Sequence, residues 1–315
     1  MEKFFNVRYE FDKELVCERI DRQIVSGSPG YVCVADGVVV DHVQRNPDYR
    51  KTVNNGMFAI CIYDREDDSV YLVRDRIGKK PMYYELDGED MFFASELKPL
   101  MARPGFSKSI RNDIVTRYLY QQYINAPDTI FKNVYKLEPG SILHYQRGQV
   151  KTWKYWDVKT VYHRMQENPI TDYAQAKAEL KELLKKSVAS RMISDVPLGA
   201  FLSGGYDSSL MTAIAQEHSK EPVKTFSIGF SVERYNEAKY AKEVAKHLGT
   251  NHTELYIDEK EMFELVESIP KYYDEPFADS SQIPSMLVAK LAKQDVTVAL
   301  SGDGGDEFFC GYNIY

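Results

Sequence analysis

The stretch Ser203-Gly204-Gly205-Tyr206-Asp207-Ser208-Ser209 follows an apolar run, residues 199–202, and precedes a segment with helical character, residues 209–218. This order predicts a loop in which a β-strand turns into an α-helix, where α/β proteins hold phosphates. Two glycines let the backbone approach an anion, while three serine hydroxyls and the first N–H groups of the helix supply donors. Because Asp207 would repel a phosphate, the loop predicts a bridging Mg²⁺ ion. A plain serine and glycine turn is the competing interpretation.

A second loop, Ser301-Gly302-Asp303-Gly304-Gly305-Asp306-Glu307, is rich in carboxylates and glycines and follows the strand-like residues 296–300. Strand and helix patterns alternate between the two loops, which predicts a parallel sheet. The carboxyl ends of the strands form the ligand crevice of such a sheet, so we expect both loops at that edge. Carboxylates crowded this closely favour a bound cation, and a structural Asp/Gly turn is the alternative.

The preceding half of the chain has a different pattern. Residues 58–155 contain short strand-like runs separated by turns such as Asp87-Gly88 and Gln146-Arg147-Gly148, which predicts β-sheet layers with hairpins. A segment with helical spacing, residues 114–123, interrupts them, and residues 156–172 are predicted to be a linker. The predicted fold class is therefore α/β: a β-rich layered domain over residues 58–155, then a parallel sheet with flanking helices over residues 173–315.

Composition argues against some classes of function. The 315 residues carry a formal net charge of -7, which gives no electrostatic footprint for a nucleic acid. No apolar stretch approaches the roughly 18 residues of a membrane span, and the first residues lack the apolar core of a signal peptide, so a cytoplasmic protein without a membrane partner is expected. The cysteines form no C-x-x-C pair, which argues against a zinc site and a disulfide framework; they are Cys17, Cys33, Cys61 and Cys310.

Two histidines have an ordinary structural interpretation. His247 and His252 flank Leu248-Gly249-Thr250, a pattern typical of a helix C-cap that leads into a strand. We interpret both as solvated side chains rather than ligands.

Both loops resemble the synthetase domain of glutamine-dependent asparagine synthetases and their β-lactam synthetase relatives. The first is similar to the pyrophosphate loop SGGxDSS of the ATP pyrophosphatase superfamily, and residues 301–312 are similar to the signature S-G-[ED]-G-[AGS]-D-E-x-x-x-G-Y. Residues 74–84 and 92–98 resemble the later part of the family's glutaminase domain. The resemblance implies an adenine nucleotide α-hydrolase-like sheet, preceded by a partial layered domain of the Ntn-hydrolase type.

The resemblance also implies roles for individual residues. The adenosine would be held by Leu202, Ile228, Ser301 and Gly302. The pyrophosphate would lie against Ser203, Gly204, Gly205, Ser208 and Ser209. Mg²⁺ would be shared by Asp207 and Asp306, and the amino-acid substrate would face Asp279, Ser280 and Ser281. Asp303 would be the catalytic residue, at a position where many members have a glutamate important for forming the acyl-adenylate.

The implied activity is that of an amide ligase that requires ATP and Mg²⁺. Aspartate, or a related carboxylate, would be activated as β-aspartyl-AMP with release of pyrophosphate, and ammonia would then displace AMP to give asparagine. The other expected partners are a second copy of the chain or a protein that supplies ammonia.

The sequence departs from the family at both ends. Glu2 stands where glutamine-dependent members carry a catalytic cysteine, and no glutamine-binding signature precedes residue 58, so we expect no glutaminase activity. Family synthetase domains continue past the second loop to a basic loop, whereas this chain ends at Tyr315. A catalytically impaired ATP-binding fragment or an interaction module is therefore an open alternative to the ligase.

The first 57 residues resemble a different family. The strings Gly30-Tyr31-Val32-Cys33-Val34-Ala35-Asp36-Gly37 and Arg45-Asn46-Pro47-Asp48-Tyr49-Arg50 are similar to the start of N-acetylmannosamine-type glycosyltransferases of polysaccharide synthesis. This adds a glycosyltransferase-related chimera as a further alternative. A natural fusion and an assembly artefact both stay open as its origin.

Overall fold

The computed structural model describes residues 24–28, 31–39, 56–64, 67–194, 196–230 and 236–312, the first two stretches as backbone only. Glu2, Cys17, residues 40–55 and Tyr315, on which several predictions rest, lie outside these ranges. The chain divides into two compact units. The first comprises Met1–Pro169 and Tyr273–Ala278, and the second comprises Ile170–Tyr272 and Asp279–Tyr315.

The first unit is built mainly of short strands. In chain order its elements are β1 (Ile24–Ser28), β2 (Tyr31–Val39), β3 (Gly56–Asp64), β4 (Ser69–Arg74), β5 (Tyr83–Asp87), β6 (Asp90–Ala94), α1 (Leu97–Met101), α2 (Asn112–Gln121), β7 (Val134–Lys136), β8 (Ser141–Gln146), β9 (Gln149–Lys154) and α3 (Val158–Gln166). The strands form a six-stranded sheet in the order β1-β2-β3-β4-β8-β9 and a three-stranded sheet in the order β6-β5-β7, both with antiparallel pairing. This confirms the predicted β-rich layers.

Strand β3 is buried on both faces because its alternate residues enter two different cores. Phe58 and Ile60 pack in one hydrophobic cluster, whereas Ala59 packs in a second cluster with residues of the three-stranded sheet, such as Tyr84 and Phe93. A strand covered on both faces carries apolar residues at consecutive positions rather than in alternation. This explains the continuous apolar run that begins at Met57.

A helix occupies part of the predicted linker. Helix α3 starts at Asp157, whose side chain accepts a hydrogen bond from the backbone N–H of Thr160 at 2.9 Å. Such an N-cap stabilises a helix start by about 1 kcal/mol. None of the residues of α3 is buried, so the helix needs no apolar face. Its sequence therefore resembles that of a loop, which is why it was predicted as a linker.

The second unit alternates strands and helices. Its elements are α4 (Tyr173–Arg191), β10 (Leu198–Phe201), α5 (Tyr206–His218), β11 (Lys224–Phe230), α6 (Ala238–Leu248), β12 (Asn251–Ile257), α7 (Glu259–Val266), α8 (Ile269–Tyr272), α9 (Gln282–Ala292), β13 (Val298–Leu300) and α10 (Gly305–Phe309). The strands form a parallel sheet in the order β12-β11-β10-β13. The predicted parallel sheet is thereby confirmed.

Helices cover both faces of this sheet. The neighbouring residues Ala200 and Phe201 of β10 enter different clusters: Ala200 packs with Val188 and Ile214, and Phe201 packs against the cluster of Phe226 and Leu291. Among the described residues, no helix is both long enough and apolar enough to cross a bilayer.

The single helix that the sequence pattern predicts over residues 259–269 is divided in the structure. A capping box between Asp258 and Glu261 starts α7, which ends at Val266, and α8 begins at Ile269. Pro270 has no backbone N–H to donate to the carbonyl of Val266, four residues earlier, and it lies in the first turn of α8, where proline is tolerated. The break therefore follows from the proline.

A short acidic segment of the second half of the chain is held inside the first unit. Asp274 accepts hydrogen bonds from the backbone N–H of Leu97 at 2.6 Å and from Lys98 Nζ at 2.5 Å. Glu275 accepts one from the backbone N–H of Ile130 at 3.0 Å. The side chain of Asp274 is only 12% exposed, so its removal leaves poorly solvated donors.

We predict that Asp274→Ala lowers the free energy of unfolding by about 2 kcal/mol, because the Leu97 N–H and the Lys98 ammonium lose their acceptor. The matched control is Asp87→Ala, which removes a carboxylate 60% exposed and 3.3 Å from Arg103. That control is expected to cost less than about 0.5 kcal/mol. Urea unfolding measures both changes, and equal losses for the two variants would contradict the buried clamp.

Candidate functional site

The two predicted loops lie side by side at the carboxyl edge of the parallel sheet. Strands β10 and β13 are neighbours, with Ala200 opposite Leu300, so the loops that follow them start at adjacent positions. A cavity of about 520 Å³ opens there, and all of its wall belongs to the second unit. The predicted site residues in its wall are Leu202, Ser203, Asp207, Ser208, Ile228, Ser301, Gly302, Asp303 and Asp306.

The first loop is closed by its own serines. Ser208 Oγ lies 2.9 Å from Ser203 Oγ and accepts a hydrogen bond from the Ser203 N–H, while the Gly205 N–H donates to Ser203 Oγ. Gly205 is the N-cap of α5, and no side chain caps this end of the helix in the described structure. The first N–H groups of a helix have no partner within the helix. The loop therefore offers donors at the positive end of a helix dipole.

Gly204 is required in this loop for two reasons. Its φ of +86° lies in the left-handed region that favours glycine. A Cβ atom at this position would also lie 2.6 Å from the backbone nitrogen of Ala241 in α6. Gly204 therefore lets α6 pack against the loop, and the residue itself lies outside the cavity wall.

Glycines of the second loop let it approach Asp207. A Cβ atom on Gly302 would lie 3.0 Å from the Ser208 nitrogen and 3.1 Å from Asp207 Cβ, and a Cβ atom on Gly305 would collide with the Asp207 carboxylate. A Cβ atom on Gly311 would likewise collide with the Asp306 carboxylate. The two loops can therefore approach this closely only because glycines occupy the contact positions.

The approach of the loops concentrates negative charge. The pKa of Asp207 is raised, first by burial and then by the nearby carboxylates of Asp306 and Glu307. Among the described residues, the charged side chains that line the cavity are all acidic: Asp207, Glu237, Asp303, Asp306 and Glu307. A polyanion could enter this cavity only together with a cation, because its charge and the carboxylates of the wall repel each other in a partly dehydrated site.

The residues of the site fit a divalent cation that has other oxygen ligands as well. Mg²⁺ is bound through one or two carboxylates together with water and phosphate oxygens. Within the described ranges, no group of three or more His, Cys, Asp and Glu residues is arranged to hold a metal by itself. Asp207 and Asp306 would therefore supply part of the ligand set, and a bound phosphate and water would supply the rest.

Several predicted residues lie outside the wall. Gly205 and Ser209 belong to the first loop, where the Ser209 hydroxyl is buried without a hydrogen-bond partner in the described structure. Asp279, Ser280 and Ser281 precede α9, and Asp279 accepts a hydrogen bond from the Ser281 N–H at 2.8 Å. The structure does not bring these three residues to the cavity, and their role in substrate binding stays a prediction.

The structure adds wall residues that sequence reasoning missed. Ser285 lies one turn into α9, beyond the predicted substrate segment, and Ser227 precedes Ile228 on β11.

Tyr312 donates a hydrogen bond to Glu307 at 2.7 Å, and both residues belong to the same signature as Asp306. Ser301 likewise donates to Asp303 at 2.8 Å. Glu307 and Tyr312 could have been predicted as site residues from their positions in the signature over residues 301–312.

One of the two histidine interpretations is wrong. Gly249 does cap α6 with a φ of +72°, and His247 is exposed as predicted. The His252 side chain, however, is only 8% exposed and lies among hydroxyl groups of β11. The parallel register places residue 252 beside Thr225 in the sheet, which a sequence pattern alone does not reveal.

A parallel sheet with a serine- and glycine-rich loop before a helix, facing an acidic loop, is typical of the class of α/β proteins that bind anionic ligands at the carboxyl edge of the sheet. The asparagine synthase family model matches residues 179–315, and a glutamine amidotransferase domain model matches residues 37–156. The second match begins inside the segment that resembles glycosyltransferases, and the origin of residues 1–57 stays a prediction.

Curated relatives agree with these matches. A putative glutamine-hydrolyzing asparagine synthetase 2 of Methanocaldococcus jannaschii is 40% identical over 263 residues, which cover 82% of this chain and 50% of that protein. The glutamine-hydrolyzing asparagine synthetase 1 of Bacillus subtilis is 38% identical over 261 residues, with 82% and 40% covered. The chain belongs to the asparagine synthetase family. It spans half or less of the length of these relatives.

Among solved structures, the NH3-dependent NAD synthetase from Campylobacter jejuni is similar, with a TM-score of 0.31 and 15% identity. The match covers 45% of this chain and 62% of that one.

We predict that Asp207→Asn raises the midpoint of thermal unfolding at pH 7 in EDTA. The pKa of Asp207 is higher in the folded than in the unfolded protein, so the ionised carboxylate opposes folding at pH values above the folded-state pKa. Below the unfolded-state pKa the carboxyl is protonated in both states, and the group no longer affects the stability. The gain should therefore disappear at about pH 3, where the carboxylates are protonated.

The matched control is Asp157→Asn. A hydrogen bond from the Thr160 N–H lowers the pKa of Asp157, so its charge favours folding. The same substitution should therefore bring no gain at pH 7. A gain of equal size in both variants would contradict the crowding of carboxylates around Asp207.

Proposed function

We propose that the chain binds ATP with Mg²⁺ in the cavity between the two loops and uses it to adenylate a carboxylate, which ammonia then converts to an amide. The observation that carries the proposal is the meeting of two features at one place. The uncapped start of α5 offers donors for an anion, and Asp207 and Asp306 both line the same cavity, near enough for the charge of Asp306 to help raise the pKa of Asp207.

The first loop supports binding of the pyrophosphate part of the nucleotide. The start of α5 offers N–H donors, and the first loop adds the hydroxyls of Ser203 and Ser208. Phosphate oxygens are the partners that we expect for these donors. The buried Ser209 hydroxyl has no partner in the described structure, which fits a further donor for the same anion. Gly204 and Gly205 would let the backbone of the loop come close to the pyrophosphate.

The adenosine is proposed to lie between the ends of three neighbouring strands. Leu202 follows β10 and is almost fully buried, Ile228 lies on β11, and Ser301 and Gly302 follow β13. Strand β10 pairs with both β11 and β13, so these residues share one edge of the sheet. Apolar side chains next to backbone groups suit a flat aromatic base.

Asp207 and Asp306 are proposed to hold the cation. When bound, Mg²⁺ would neutralise the phosphates and so favour attack at the α phosphorus. The two carboxylates would fix the place of that positive charge, and the Ser208 N–H, close to Gly302, would be a donor for a phosphate oxygen. Repulsion among Asp207, Asp306 and Glu307 is relieved when the cation arrives.

The carboxylate substrate is proposed to be aspartate. Its side-chain oxygen attacks the α phosphorus, the bond to the β-phosphate oxygen breaks, and pyrophosphate leaves. Ammonia then attacks the acyl carbon, AMP leaves, and one proton is released. Asp303, which accepts a hydrogen bond from the Ser301 hydroxyl, is the proposed catalytic residue of this reaction. The polar wall residues Ser285 and Tyr312 are proposed to contact the substrate.

Ammonia, rather than glutamine, is the proposed nitrogen donor in a cytoplasmic setting. The cysteines whose side chains are described, Cys61 and Cys310, are internal residues, one within β3 and one after α10. An internal cysteine lacks a free α-amine of its own to serve as a base. Glu2, where a catalytic cysteine is expected in glutamine-dependent members, lies outside the described residues.

The test is release of pyrophosphate from ATP with aspartate and ammonium as co-substrates. Aspartate labelled with ¹⁸O in its side-chain carboxylate should transfer one labelled oxygen to AMP, because that oxygen bridges the acyl group and the phosphorus. Glutamine in place of ammonium should give no amide. Binding of ATP without pyrophosphate release would overturn the ligase in favour of a binding module, and preference for a UDP-sugar would favour the glycosyltransferase-related chimera.

We predict that Asp306→Asn lowers the rate of pyrophosphate release by about 100-fold or more, since even outer-shell partners of metal sites change activity by 10- to 100-fold. Asp295→Asn is the control: this surface carboxylate of the same unit is 47% exposed and 4.0 Å from Lys224. Its rate should match that of the parent chain. Equal rates in all three proteins would exclude Asp306 from the reaction.

A further inference from the structure

His252 is buried beside the cavity and contacts two hydroxyl groups of the neighbouring strand. Its Nδ1 atom lies 2.9 Å from Thr225 Oγ1, and its Nε2 atom lies 3.2 Å from Ser227 Oγ. Thr225 is fully buried, whereas Ser227, with 4% of its surface exposed, forms part of the cavity wall. The imidazole therefore connects the hydroxyl of a fully buried residue with the hydroxyl of a residue in the cavity wall.

The register of the sheet explains this arrangement. Thr225 and Ser227 are two residues apart on β11, so their side chains emerge on the same face. On β12, His252 is paired with Thr225 and Glu254 is paired with Ser227. The imidazole thus lies along the strand and reaches both hydroxyls at once.

The surroundings keep the ring neutral. The pKa of His252 is lowered, chiefly by burial, while Glu254 raises it, Lys242 lowers it and a hydrogen bond to the Thr225 backbone raises it. A neutral imidazole has one N–H donor and one acceptor nitrogen. With either tautomer, one of the two hydroxyls donates a hydrogen bond to the imidazole and the other accepts one from it, so the contact with His252 restricts the rotation of the Ser227 hydroxyl.

We propose that His252 is a positioning residue of the nucleotide site, which holds the Ser227 hydroxyl in the orientation that contacts the bound ligand. This role rests on the proposed function, because the ligand is the Mg²⁺ complex of ATP. Ser227 precedes Ile228, so a turned hydroxyl would disturb the wall where the adenosine is proposed to lie. His252 itself acts only through Ser227.

Two conservative variants separate this role from simple packing. In His252→Gln the side-chain amide reaches the place of Nε2 and can keep the Ser227 contact. In His252→Asn the shorter amide reaches the place of Nδ1 and can keep only the Thr225 contact. Titration calorimetry with Mg²⁺ and ATP should give a dissociation constant within about twofold of the parent chain for Gln, and one weaker by roughly five- to tenfold for Asn.

Stability and a double substitution complete the test. Thr225→Val should lower the thermal midpoint without changing the dissociation constant, because Thr225 does not line the cavity. In a Ser227→Ala background, His252→Asn should weaken binding no further. Parent-like affinity of His252→Asn, or losses that add in the double variant, would overturn the role of His252. If the parent chain itself does not bind the Mg²⁺ complex of ATP, the proposed function fails and this role with it.

Discussion

The close approach of the second loop to Asp207 is the constraint on which the site depends. Gly302 and Gly305 leave no space for side chains, because added Cβ atoms would meet Ser208 and the Asp207 carboxylate. Burial raises the pKa of Asp207, and Asp306 and Glu307, which the contact brings near it, raise that pKa further. Ionised carboxylates gathered in this way oppose folding, and the proposed cation between Asp207 and Asp306 would relieve their repulsion.

The parallel sheet makes this approach possible. Strands β10 and β13 are far apart in the chain yet adjacent in the sheet, and their carboxyl ends deliver the two loops to the same edge. The uncapped start of α5 completes the site with donors for an anion. Membership in the asparagine synthetase family agrees with this geometry. The amidotransferase-type match falls on the β-rich unit, where the core on both faces of β3 supports the fold.

Much of the fold and part of the site could be predicted from the sequence, because local patterns report local structure. The loop at Ser203 and the acidic loop at Asp303 were both placed correctly after their strands. What depends on register or packing could not be predicted: burial of His252 requires its pairing with Thr225, and the absence of Asp279 from the cavity wall requires knowing how the segment before α9 packs. The break before α8 was readable from Pro270, whereas helix α3 has a polar composition that resembles a loop.

The most direct test of the account is calorimetric titration of the chain with ATP, once with Mg²⁺ and once with EDTA. Shared coordination by Asp207 and Asp306 predicts measurable binding with Mg²⁺ and affinity at least about 100-fold weaker without it, since the acidic wall then repels the phosphates. Equal affinity in the two buffers would contradict the central claim that a cation joins the two loops through the nucleotide.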